Sequence, residues 1–85
     1  MTAEGIFDKV KETVAEQFEL DLDDQEITME TSFEKDLGAD SLDLVDIALA
    51  LEDYFGVNDE DMDEGELSKI KTVGDIVNFL VRLGV

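Results

Sequence analysis

The chain reads as an all-α protein, a small bundle of three main helices with a short helix before the last. Three observations predict this. Apolar residues recur at helical spacing in three separate segments. Residue types that start or stop helices bracket those segments. No segment keeps the strict alternation of a half-buried strand.

The first helical stripe runs from about Thr2 to Leu20. Ile6, Val10, Val14 and Phe18 recur every fourth residue with Phe7 beside them, and Thr2 suits the N-cap. The polar run from Asp21 to Thr31 breaks the period and reads as a long loop. Thr31-Ser32-Phe33-Glu34 fits a capping box, which predicts a short helical turn there.

The second main helix is expected to begin at Asp40 or Ser41 and to stop near Phe55-Gly56. Asp40 serves as N-cap, and Gly56 suits the left-handed position beyond the end. An acid-rich loop follows from Val57 to Glu66. Leu67 and Ile70 are spaced for a short turn of helix. Thr72 with Asp75 three residues on resembles a capping box and opens the last helix, whose stripe is Val73, Ile76, Val77, Leu80 and Leu83, closed by Gly84. We see no internal repeat and no composition shift, so residues 1–85 are expected to form a single domain.

Composition removes several function classes. The apolar fraction of 44% is enough for one modest core and argues against general disorder, even at a net charge of -18. Without cysteine, disulfides, thiolate catalysis and cysteine-based metal sites are out of reach; without histidine, zinc and imidazole acid–base chemistry lose their usual ligands and bases. No apolar run approaches the roughly 18 residues of a membrane span. Residues 1–5 lack the basic and apolar regions of a secretory signal, so a cytoplasmic location is expected.

The charge is also uneven. No Lys or Arg lies between Lys35 and Lys69, a stretch crowded with carboxylates. Such a one-sign field repels nucleic acid and anionic lipid and draws in basic proteins and cations. Crowded carboxylates oppose the compact state, so stability is expected to rise with salt, with magnesium and with a moderate fall in pH.

The helix after Asp40 carries two faces. At about 100° per residue, Leu44, Ile47, Ala48, Leu51 and Phe55 share one arc, the natural core face. Opposite them lie Leu42, Val45 and Leu49, interleaved with Asp46, Glu52 and Asp53. Aliphatic residues among carboxylates suit docking on a basic protein surface, the acids attracting and the apolar groups supplying contact area. Ser41 falls in the first turn, where unpaired N–H groups and the helix dipole favour an anion such as a phosphate ester on its hydroxyl. The same Asp40-Ser41 pair also reads as an ordinary helix cap.

The run Asp36-Leu37-Gly38-Ala39-Asp40-Ser41-Leu42-Asp43 resembles the attachment motif of acyl carrier proteins. The likeness extends through Ala50-Leu51-Glu52 and Phe55, and resumes at Ile70-Lys71-Thr72-Val73-Gly74-Asp75. It implies that Ser41 bears 4′-phosphopantetheine, derived from coenzyme A and joined through a phosphodiester. Growing acyl chains would ride on the arm's terminal thiol as thioesters, delivered by a non-catalytic carrier to the enzymes of fatty acid synthesis. It implies partners with basic docking surfaces, among them the holo-acyl-carrier-protein synthase that loads the arm, and a monomeric carrier. Asp40, Leu42, Asp43, Val45, Asp46, Leu49, Glu52 and Asp53 match positions used for partner recognition. One departure is the segment from Gly56 to Glu66, which is longer and more acidic than the family's and lacks its proline.

Other readings have less behind them. Asp59, Asp61 and Asp63 alternate as in an EF-hand loop, but Glu64 stands where that loop needs glycine and Ile70 where it needs glutamate. Weak divalent binding by these acids, or by those from Asp21 to Glu26, fits simple charge relief. A hydrolase would need a base for Ser41, for which only Lys35 lies near in sequence. Polyketide and aminoacyl carriers share the serine and the bundle.

Overall fold

In the computed structural model, which describes residues 2–21, 23, 26–57 and 64–85, the chain runs α1 (Ala3–Phe18), α2 (Ser41–Phe55), α3 (Glu64–Leu67) and α4 (Val73–Leu83). Among the described residues the architecture is the expected all-α bundle: three long helices and a short one before the last. α1 packs against both α4 and α2. The expected stripes face inward. Ile6, Val10, Val14, Ile47, Leu51, Val73, Ile76, Val77 and Leu80 are fully buried, with Phe7, Phe18, Leu44, Phe55 and Leu83 packed around them.

α1 and α2 run antiparallel along a seam that also involves their polar edges. Lys9 Nζ sits 4.1 Å from the centre of the Tyr54 ring, and Gln17 donates to Asp46 Oδ2 at 3.4 Å. Tyr54 in turn meets Phe55 edge-on, with ring centres 4.9 Å apart. As the residue numbers rise on one helix they fall on the other.

Two boundaries differ from expectation. α1 ends at Phe18 rather than near Leu20, because Glu19 turns into the left-handed region at φ 55°. Its N–H and that of Leu20 then close onto the last turn, Leu20 donating to the Ala15 carbonyl at 2.8 Å. The cap expected over Thr31–Glu34 is displaced by one residue. Ser32 Oγ accepts from the Lys35 N–H at 3.1 Å, and Asp36 reaches back to the Ser32 N–H at 2.6 Å. Thr31 instead accepts from the Thr28 N–H at 2.8 Å. A helical turn does follow, as the bonds Asp36 N–H to Ser32 O and Gly38 N–H to Glu34 O show.

The loop before that turn is clipped to the start of α4. A helix leaves its first N–H groups without internal partners, and here the loop supplies them. Val73 donates to Thr31 O at 2.9 Å, Gly74 to Met29 O at 2.7 Å, and Ser32 and Thr72 form an isolated antiparallel bridge. Gly74 is required by this close approach. A β-carbon there would lie 2.7 Å from the Met29 carbonyl oxygen.

Candidate functional site

Ser41 opens α2, and the local structure explains its position. Phe33 is buried, and its carbonyl accepts from the Ala39 N–H at 2.7 Å, while Ala39 is itself buried. Gly38 turns the chain at φ 65° with no atom near the space a side chain would take. The backbone then extends through Asp40 into the helix. Asp40 and Asp43 form a reciprocal capping box: Asp40 Oδ1 accepts from the Asp43 N–H at 3.0 Å, and Asp43 Oδ2 from the Asp40 N–H at 3.2 Å. The capping is therefore done by two aspartates. Ser41 is exposed at the first helical position, outside that exchange.

The rest of α2 separates as the helical wheel requires. Ile47, Ala48 and Leu51 are buried and Leu44 and Phe55 half-buried. Leu42 is 72% exposed and Leu49 52%, with Val45, Asp46 and Asp53 also at the surface. Asp40 is exposed and Asp43 half-buried.

Glu52 departs from the expected outer face: only 8% of it is exposed. The wheel places it at the border between the two faces. Taking Ile47 as zero, Glu52 falls at about 140°, between buried Ala48 at about 100° and exposed Val45 at about 160°, whereas Leu42, Leu49 and Asp53 lie at about 200–240°. Its backbone carbonyl also receives the Gly56 and Val57 N–H groups that close the helix, the latter at 3.0 Å.

Lys35 lies on the turn before Gly38, where its N–H is tied to Ser32. No helix among the described residues is long and apolar enough to cross a membrane. Asp59, Asp61 and Asp63, the acids expected to bind divalent cations weakly, and most of the Gly56–Glu66 segment lie outside the described residues.

The chain matches the family described as "Phosphopantetheine attachment site" over residues 8–80. It is 51% identical to an acyl carrier protein of Lactobacillus acidophilus across 94% of both chains. An acyl carrier protein of Petrotoga mobilis is 49% identical over 94% of this chain and 88% of its own. One from Thermotoga maritima is 47% identical over 91% of this chain and 89% of its own.

The chain belongs to the acyl carrier protein family. It is a carrier, not an enzyme, and its cofactor is phosphopantetheine. The absent histidine and cysteine accord with that role, since a carrier needs one attachment point and no base of its own.

Proposed function

We propose that Ser41 bears 4′-phosphopantetheine as a phosphodiester, and that the outer face of α2 presents the loaded arm to enzymes of fatty acid synthesis. The observation that carries the reading is the exposed Ser41 hydroxyl at the first position of a helix already capped by other side chains. The residues present fit the group. A hydroxyl is offered for the ester, the first-turn N–H groups of Ser41 and Leu42 have no helical carbonyl one turn earlier to accept them, and the dipole favours an anion there. Asp40 and Asp43 oppose a phosphate by charge, but each also accepts a backbone N–H that offsets part of that charge.

When bound, the arm supplies a terminal thiol that holds acyl groups as thioesters. The chain's own residues anchor and present it. Leu42, Val45 and Leu49 offer apolar contact, and Asp40, Asp43, Asp46 and Asp53 draw in basic surfaces, including that of the synthase that loads the arm. Glu52 borders this face from its buried side. No cysteine in the chain competes for the acyl group. Residues 1–85 act in this reading as one monomeric carrier domain in the cytoplasm.

Intact mass spectrometry tests the assignment. Incubated with coenzyme A and a phosphopantetheinyl transferase, wild-type protein gains the mass of one arm, and Ser41→Ala gains none while keeping its helical spectrum. Uptake by the variant, or none by wild type, removes Ser41 from the role.

A further inference from the structure

The attachment serine is tied to a residue far away in sequence. Asp75 Oδ2 accepts two backbone N–H groups, from Lys71 at 2.9 Å and Thr72 at 3.0 Å. That fixes the peptide whose Lys71 carbonyl accepts the Phe33 N–H at 3.0 Å. The Phe33 carbonyl then accepts the Ala39 N–H at 2.7 Å, two residues before Ser41. The path has little slack. Phe33 and Ala39 are buried, and the neighbouring bonds from Val73 to Thr31 and from Gly74 to Met29 hold the two segments together on one side.

We infer that Asp75 is a positioning residue for Ser41, acting through Lys71, Phe33 and Ala39. The inference rests on Ser41 being the attachment point. None of these residues lies on the outer face of α2, so the two parts of the site are separable. The outer face sets how well an enzyme binds the carrier. The backbone path sets where the serine oxygen stands once the carrier is bound, and small misplacements there lower the rate of the bound complex.

The test compares Asp75→Ala and Asp75→Asn with Ile6→Val, a core change in α1 outside the hydrogen-bonded path, under conditions where all are folded. Amide hydrogen exchange and steady-state loading by the transferase are both read. In Asp75→Ala the Phe33 and Ala39 amides should exchange about tenfold faster relative to those of Val10 and Val14. Its kcat for loading should fall about fivefold with KM for the carrier unchanged. Asp75→Asn, whose carboxamide oxygen still accepts the two N–H groups, should keep both properties near wild type. Ile6→Val should change neither the exchange ratio nor kcat. Wild-type protection at Phe33 and Ala39 in Asp75→Ala, or a kcat loss no larger than that of Ile6→Val, overturns the inference. Loosened Phe33 and Ala39 amides in a protein that takes no arm even as wild type would overturn the attachment at Ser41 instead.

Discussion

Glu19 holds a conformation that its side chain does not favour. At φ 55° it occupies the left-handed position that glycine usually fills after a helix, and it also places a carboxylate at the negative end of α1. Glu19→Gly should stabilise the protein by about 1 kcal/mol, read as a shift in urea midpoint with the slope unchanged. Gly74 is the converse case. Gly74→Ala drives a β-carbon against the Met29 carbonyl, and we expect a loss of about 2 kcal/mol in the same measurement. Neither cost is visible in the sequence. Glutamate is an ordinary helix residue, so the α1 stripe predicts a helix that runs on to Leu20. The need for glycine at 74 comes from a loop that lies far from it along the chain. Glu52 shows the same limit in side-chain terms: it stands where the two faces of α2 meet, its charge reads as surface, and packing buries it.

At the level of elements, α2 answers two demands at once. Its inner arc was legible because Leu44, Ile47, Ala48, Leu51 and Phe55 repeat at the period of the helix, and its ends were legible because Asp40 and Gly56 are strong local signals. The same holds for α4, with Thr72, Asp75 and Gly84 in the expected roles. The displaced cap at Ser32 was not legible, because two adjacent hydroxyl residues offer rival starts and contact with Thr72 favours the second. The N-terminus of α4 as the anchor for the 27–33 loop was also hidden, since its bonds join backbone groups without any sequence signature. Two predictions belong here. Asp40→Ala removes one arm of the capping box and should cost about 1 kcal/mol by urea denaturation. Asp53→Asn, on the outer face, should raise the transferase KM for the carrier about twofold with kcat unchanged, and the difference should shrink at high salt.

Across the whole molecule, charge outweighs every other surface property. A net -18 is carried by a chain with only six basic residues. The arrangement of the helices adds to the imbalance, for neither α1 nor α2 has a basic residue in its last turn, and among the described helices only α4 ends with one, Arg82. The ion pairs of Lys9 and Lys69 do little to correct it. Lys9 with Glu12 at 3.9 Å and Lys69 with Glu66 at 3.6 Å are surface contacts of the weak kind. Added magnesium or monovalent salt should therefore stabilise the fold by about 1 kcal/mol, seen by calorimetry as a rise in Tm of about 4–8 °C. An unchanged Tm would mean that self-repulsion is not what limits stability. Net charge was the plainest fact in the sequence; its effect on the fold depends on where the helix ends place the acids.

The seam between α1 and α2 has an optical consequence. The chain contains one tyrosine and no tryptophan, so its intrinsic emission comes from Tyr54. That ring lies beneath the Lys9 ammonium, against Phe55, and on the helix that Ser41 begins. The protein thus carries an internal reporter on the packing of those two helices. A partner or a loaded arm that shifts α2 against α1 would alter its emission without any added dye, and Lys9→Met would show how much of the signal the ammonium controls.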